Sequence, residues 1–305
     1  MLNSIIFETY KGGYGYESED YEAVRRFLQR INREIPVTTN FLWGRWEWMH
    51  ALPHMDKERT NTIGIWKLAE KIIGLATYED DVGEVFLLFD PMVQAAYQLR
   101  KMMVQHVKEN MRVHGDVPKI MIADTDASLQ EIAKQAGFVA TTKKQHVAAI
   151  AIDETEEVLL PEGFLLQTLA EECDLAKWNA LLYRGFNNGQ IPPQNDKILA
   201  ERKRSIYTPN ADLSLDTLVV APNGTYAAFC GIWYEPGEQV ALIEPVCTDP
   251  LYRQLGCGKA AVLSAIKRAG EKGAQYAYVG SAQLFYYKIG FAPVYSETFW
   301  EYEEK

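Results

Sequence analysis

The chain has 305 residues, 41 acidic and 31 basic, for a net charge of −10, and 48% of it is apolar. That length suits two domains, each with enough apolar residues for its own core. A balance this acidic argues against nucleic acid, whose binders carry a basic face, and suits cationic acceptors such as amines.

No run reaches the ~18 apolar residues of a membrane span. The N-terminal stretch has no basic region followed by a long apolar run, so no secretory leader and no membrane partner are expected. The four cysteines, Cys173, Cys230, Cys247 and Cys257, form no CxxC pair. A large core needs no disulfide staple, so free thiols in a reducing compartment, the cytoplasm, are expected.

Residues 4–10, "SIIFETY", predict a short strand. "SEDYEAVRRFLQRINREI" has a Ser/Asp start and apolar residues at Val24, Phe27, Leu28 and Ile31, which is helical spacing. In the tryptophan-rich "FLWGRWEWMHALPH", Leu42, Trp46 and Met49 also have helical spacing, which favours packing between domains over lining an acceptor pocket. His50 and His54 are four apart, a metal-ligand spacing on a helix, but Pro53 intervenes and no third ligand is evident. They are expected at the surface or in a loop, without metal.

A strand meander follows through "LLFDP", turning near Glu70-Lys71 and Asp80-Asp81. Next come an amphipathic helix "AAYQLRKMMVQHVKENMR", a strand "KIMIAD", a helix closed by Gly137, and a strand "HVAAIAI". The acidic stretch 153–163, with Pro161 and Gly163, fits an interdomain connection. The order then recurs: strand "FLLQTL", helix "DLAKWNALLYRGF", loop "NNGQIPPQND", a meander with turns at Asn223-Gly224 and Pro236-Gly237, helix "GKAAVLSAIKRAGEKG", strand 275–280, and the helix end "LFYYKIGF". Asp90-Pro91 aligns with Asp249-Pro250, Gly74 with Gly231 within two residues, and Gly137-Phe138 with Gly290-Phe291. These anchors predict duplication of one α/β domain, residues 1–152 and 164–305 joined by the linker 153–163.

Residues 253–258, "RQLGCG", join a strand to a helix. Gly256 and Gly258 permit a tight turn and close ligand approach. The amides of Gly256, Cys257, Gly258 and Lys259 would face a pyrophosphate with the helix dipole behind them. The loop is neither a Walker loop nor a dinucleotide fingerprint. Pro245, inside the preceding strand, marks a bulge or an unpaired edge, because proline cannot donate to a ladder.

"EPVCTDPLYRQLGCGKAAVLSAI" resembles motif A of the GNAT acetyltransferases, whose loop is Gln/Arg-x-x-Gly-x-Gly/Ala. "LFYYKIGF" resembles the family's next motif. The resemblance covers residues 163 to about 300, and the N-terminal half shares the layout only. It implies an α/β (α+β) fold of two tandem GNAT domains. Each would be a mixed, mainly antiparallel sheet with flanking helices and a splayed parallel strand pair at the cofactor cleft.

It further implies acetyl-CoA as co-substrate, held by Val246, Cys247 and Thr248 on the first splayed strand and by Arg253, Gln254, Leu255, Gly256, Cys257, Gly258 and Lys259. Tyr286 would protonate the departing thiolate, and Glu244 is the candidate base for an ammonium acceptor. Family members often carry that glutamate two positions earlier, where Leu242 stands here.

Cys247 and Cys257 have no neighbouring histidine, and the family transfers directly, so no covalent role is expected. In the first copy Gln94, Tyr97 and Leu99 take the places of Arg253, Gly256 and Gly258, and Ala133 that of Tyr286. Side chains would fill the phosphate space, which makes this copy a degenerate GNAT-like domain. The resemblance implies an N-acetyltransferase acting on a small-molecule amine. A protein amine as acceptor, or a CoA-binding regulator without chemistry, are the alternatives.

Overall fold

The computed structural model describes residues 5–33, 41–93, 96–154, 158–193 and 195–304. Gln94 and part of the expected linker, 155–157, lie outside the described residues. The chain divides into two compact units. Unit 1 is Met1–Val147 with Val294–Lys305, and unit 2 is Ala148–Pro293.

Unit 1 begins with β1 (Ile5–Thr9), α1 (Glu19–Ile31) and α2 (Trp43–Ala51). Ser18 caps α1 by accepting from the Tyr21 amide, and Glu19, Asp20 and Glu22 in its first turn favour the helix dipole. Val24, Phe27 and Leu28 form its buried stripe. Strands β2 (Gly64–Leu68), β3 (Lys71–Thr77) and β4 (Glu84–Phe89) continue an antiparallel ladder from β1. After α3 (Ala96–Asn110), β5 (Lys119–Ala123) pairs parallel with β4, over Glu84–Phe86 against Lys119–Met121. Helix α4 (Ala127–Ala136) ends at Gly137, whose φ of 99° is left-handed, and β6 (Phe138–Ala151) follows.

Unit 2 repeats the order: β7 (Leu165–Thr168), α5 (Leu175–Phe186), α6 (Asp196–Ile206), β8 (Thr217–Val220), β9 (Tyr226–Trp233), β10 (Val240–Thr248), α7 (Cys257–Glu271), β11 (Tyr276–Val279) and α8 (Leu284–Lys288). Strands β7 to β10 are antiparallel neighbours, and β10 pairs parallel with β11. One face of this sheet packs on α7, whose Ala260, Ala261, Ala265 and Ala269 let the helix approach closely. The other packs on α5 and α6 through Trp178, Leu181, Leu182 and Ile206, with Phe229 and Cys247 beneath.

The last strand, β12 (Ala292–Tyr302), pairs antiparallel with β5, from Glu297 opposite Ala123 to Trp300 opposite Ile120. The end of β6 pairs with β11, Ala151 opposite Tyr276 to Ala148 opposite Val279. Backbone pairing thus assigns residues 294–305 to unit 1 and 148–151 to unit 2, where the sequence reading has two contiguous domains.

His50 corrects the sequence reading. It lies on α2, 1% exposed, with the rings of Trp46 and Tyr21 at 4.5 and 5.2 Å. Its Nδ1 accepts from the Gly15 amide at 3.1 Å, and burial lowers its pKa to about 3. It is a neutral core histidine, because α2 continues up to Ala51 and turns it inward. Trp46 is fully buried against Tyr10, Tyr21 and His50, all within unit 1.

Candidate active site

Strands β10 and β11 are paired only over Val240–Leu242 and Tyr276–Tyr278, so from Ile243 onward β10 has no partner in β11. On the opposite edge, the β9 register slips between Ile243, opposite Ile232, and Val246, opposite Cys230. One extra residue on β10 makes a bulge at Glu244-Pro245, as proline in mid-strand requires. Gly231 faces it, and a Cβ there would come within 2.6 Å of the Glu244 carbonyl oxygen. The corresponding β3–β4 ladder of unit 1 runs from Gly74–Phe89 to Thr77–Phe86 without a slip.

Past the bulge, Val246 and Thr248 are half-buried, and the Cys247 side chain turns under α5. Burial pushes the Cys247 thiol up to about 12 and also raises that of Cys257. Neither supplies a thiolate at neutral pH, which leaves Cys247 a backbone role.

Asp249 then caps a short turn, its Oδ1 accepting from the Leu251 amide at 2.9 Å. Gln254 (φ 63°) and Gly256 (φ 86°) are both left-handed. Leu255 is exposed, and a Cβ on Gly256 would meet nothing within 4 Å. Helix α7 starts there without a side-chain cap. An open approach to an uncapped helix N-terminus, with Lys259 in its first turn, fits the diphosphate of a CoA.

Gly258 serves packing: a Cβ there would lie 2.7 Å from Thr248 Oγ1. The Arg253 guanidinium donates to the Gly185 and Thr248 carbonyl oxygens, at 3.0 and 3.4 Å, and so ties the loop to the ends of α5 and β10. In unit 1 the counterpart of Gly256, Tyr97, is 50% exposed, whereas Leu99 is fully buried beside Gly74. Leu99 therefore fills the unit 1 core, and the missing bulge separates the copies more clearly than the filled cradle does.

Tyr286 is 6% exposed, edge-on to Phe285 and Phe291 at 5.0 and 5.5 Å. Burial raises its pKa, with Cys230 and Glu244 adding to the rise, so the phenol stays protonated and Glu244 lies within its electrostatic reach. Tyr287 falls outside this buried position. Among the described residues no group of three His, Cys, Asp or Glu side chains could hold a metal, and no helix is long and apolar enough to cross a membrane.

Three side chains were missed from sequence. Arg184, in the last turn of α5, holds Asp249. Asp216 accepts from the Ile232 amide at 3.1 Å where β8 gives out, and burial pushes its pKa up to about 7. Arg202 lies on α6, a helix whose signal was the Asn195-Asp196 start, with Asn195 Oδ1 accepting from the Ile198 amide.

The profile of the acetyltransferase (GNAT) family matches residues 182–291. Among solved structures, a tandem GNAT protein from the clavulanic acid biosynthesis pathway covers 99% of this chain and 99% of its own, with TM-score 0.60 and 12% identity. A GNAT-family acetyltransferase from Colwellia psychrerythraea covers 98% and 100%, with TM-score 0.59 and 12% identity. A GCN5-related N-acetyltransferase from Sphaerobacter thermophilus covers 98% and 95%, with TM-score 0.57 and 14% identity. At such identities these likenesses concern the fold.

A curated CTP synthase of Prochlorococcus marinus (strain MIT 9215) is 26% identical over 121 residues, 36% of this chain, and the match spans 23% of that protein's length. The GNAT profile thus falls within unit 2, and the whole chain shares the fold of a tandem GNAT protein.

Proposed function

We propose that unit 2 transfers an acetyl group from acetyl-CoA directly to an amine on a small molecule. The observation that carries this is the departure of β10 from β11 after Leu242, together with the bulge at Pro245, which leaves backbone of Val246–Thr248 unpaired on the β11 side. Those groups would hold the pantetheine arm, and the Gly256–Lys259 amides the diphosphate. Acetyl-CoA supplies an activated thioester.

The chain's own residues manage the protons. Glu244, at the bulge, takes a proton from the ammonium acceptor through water and leaves a nucleophilic amine. Tyr286, held protonated by its apolar surroundings, gives its proton to the departing sulfur. The rings of Phe285 and Phe291 fix its orientation.

The test is release of free thiol from acetyl-CoA across a panel of amines, followed by mass spectrometry of the product. Thiol release that depends on an added amine, with an acetylated product, is the expected result. Acetyl-CoA binding without turnover on any small amine or peptide would leave a CoA-binding regulator instead.

A further inference from the structure

Arg202 is a half-buried arginine with no carboxylate partner among the described residues. Arg45, Arg100 and Arg184 each meet a carboxylate, Glu79 at 2.6 Å, Asp126 at 3.0 Å and Asp249. Arg202 instead donates from Nε to the amide oxygen of Asn179, at 2.9 Å, and its guanidinium stands 5.9 Å from the Trp178 ring centre. Asn179 and Trp178 are 1% and 2% exposed. Burial lowers the pKa of Arg202, opposed by Cys247 and Glu201. A covered guanidinium held by neutral groups is costly unless an anion completes it.

Its surroundings supply a further hydrogen-bonding atom. Trp178 Nε1 is buried, in a residue 2% exposed, and has no hydrogen-bond partner among the described residues. Trp178, on α5, shares one apolar cluster with Ile206, four residues on from Arg202 along α6, and with Cys247 of β10. The position is therefore on the face of β10 to which Cys247 points, two residues past the bulge. An anion bound there sits beside the strand proposed to hold the pantetheine arm.

We infer that Arg202 is a specificity-determining residue: it binds a carboxylate on the acceptor, so the preferred acceptors are amino acids or similar amines bearing an acidic group. This rests on the amine-acetylation reading of unit 2 and narrows its substrate class. Guanidinium nitrogens suit a carboxylate because two parallel N–H bonds can form at once. Asn179 fixes the fork from the Nε side and leaves the terminal nitrogens for the ligand.

The test uses the full chain and three acids, β-alanine, 4-aminobutyrate and L-phenylalanine, each against its primary amide as acceptor. The parent protein is expected to favour at least one acid over its amide by 10-fold or more in kcat/KM. Arg202→Gln should raise the KM for that acid at least 10-fold, with kcat, acetyl-CoA affinity and turnover of the amide unchanged. Arg202→Lys should recover part of the loss. Equal use of every acid and its amide, or an equal loss on both in Arg202→Gln, overturns the proposal.

If no amine is acetylated, titration calorimetry of the same acids into the CoA-bound chain decides separately. Binding of an acid that Arg202→Gln abolishes upholds the carboxylate site while the transfer reading fails. Absence of binding by all three overturns the site as well.

Discussion

Arg184 grips Asp249 with two nitrogens, Nε to Oδ2 at 2.5 Å and Nη2 to Oδ1 at 3.1 Å, and Arg30 of unit 1 grips Asp90 in the corresponding place. Each arginine closes the last turn of the first helix in its unit. Each aspartate also caps the amide two residues on, that of Leu251 at 2.9 Å and of Met92 at 3.0 Å. The clasp is present in both units, with and without the register slip, so it belongs to the scaffold. In unit 2 Asp249 leads into the proposed cradle and Arg184 Nη1 also donates to the Gly189 carbonyl at 3.0 Å; in unit 1 Arg30 also donates to the Ile72 carbonyl.

Arg184→Met and Arg30→Met should each destabilise their unit, since each leaves a covered aspartate without its cation. A loss of about 1–3 kcal/mol is expected, below that of a fully buried pair because both arginines are partly exposed. Only Arg184→Met should weaken acetyl-CoA binding. Urea unfolding and titration calorimetry on the two variants check this, and equal effects on the cofactor would remove the distinction between the copies.

The two cradle glycines should fail in different ways. Gly256→Val meets no neighbour but forces a β-branched residue to φ 86°, at a cost of about 1–2 kcal/mol, and sets a side chain before the helix N-terminus. Acetyl-CoA affinity should fall at least 10-fold by calorimetry. Gly258→Ala instead drives a Cβ to 2.7 Å from Thr248 Oγ1, and adding Thr248→Ala should restore much of the lost stability. Thermal unfolding of the single and double variants shows whether it does.

Tyr286→Phe removes one oxygen and keeps the ring against Phe285 and Phe291. If the phenol protonates the leaving sulfur, kcat should drop about 10²- to 10⁴-fold with acetyl-CoA affinity retained. Steady-state kinetics beside calorimetry separate the two effects, and a kcat within twofold of the parent removes the proton donor role.

The duplicated order, the bulge at Pro245 and the turn at Gly256 were legible in sequence because each rests on a local rule: hydrophobic period, proline's missing donor, glycine's left-handed freedom. Pro245 alone narrows that stretch to a bulge or an unpaired edge, and the ladder shows a register slip there. Partners of long sequence separation were not legible. Arg184 and Asp249 are 65 residues apart, and nothing in either short motif names the other. Helix α6 was missed because the proline-rich loop before it masked the Asn195 cap, and Arg202 was missed with it. The final strand was missed because "SETFWEY" gives a strand pattern but no sign of which sheet it joins.

Asp216 gives unit 2 a pH dependence with a definite sign. Its pKa is raised to about 7 by burial, against about 4 in an unfolded chain. Between those values the folded form holds a proton that the unfolded form has released, so stability falls as pH rises from about 4 to about 7. The loss is at most about 4 kcal/mol, at ~1.4 kcal/mol per tenfold. Asp216→Asn keeps an acceptor for the Ile232 amide without the ionisation. Urea unfolding from pH 4 to 8 should show a fall in the parent that the variant reduces, and parallel curves would show that other groups set the dependence.

Removing residues 294–305 should damage unit 1, although the cut comes after unit 2 in sequence. β12 supplies the partner of β5 from Glu297 to Trp300, and Phe299 and Trp300 are each 4% exposed. Ser296 and Thr298 both donate to the Asp124 carboxylate, at 2.6 and 2.5 Å. Losing two buried aromatic side chains and a strand's ladder costs on the order of 5 kcal/mol or more, comparable to the whole stability of many domains. Unit 2 keeps its own β11 partner in residues 148–151. Hydrogen exchange of the truncated chain should therefore lose protection first in β5 and its neighbours, with acetyl-CoA binding by unit 2 outlasting it. A fragment beginning at residue 155 should fare worse in unit 2, because it discards the strand end paired with β11 while carrying a β12 that has no β5. Protection lost first in β9 and β10 of the chain ending at Pro293 would return the last strand to unit 2 and overturn this division.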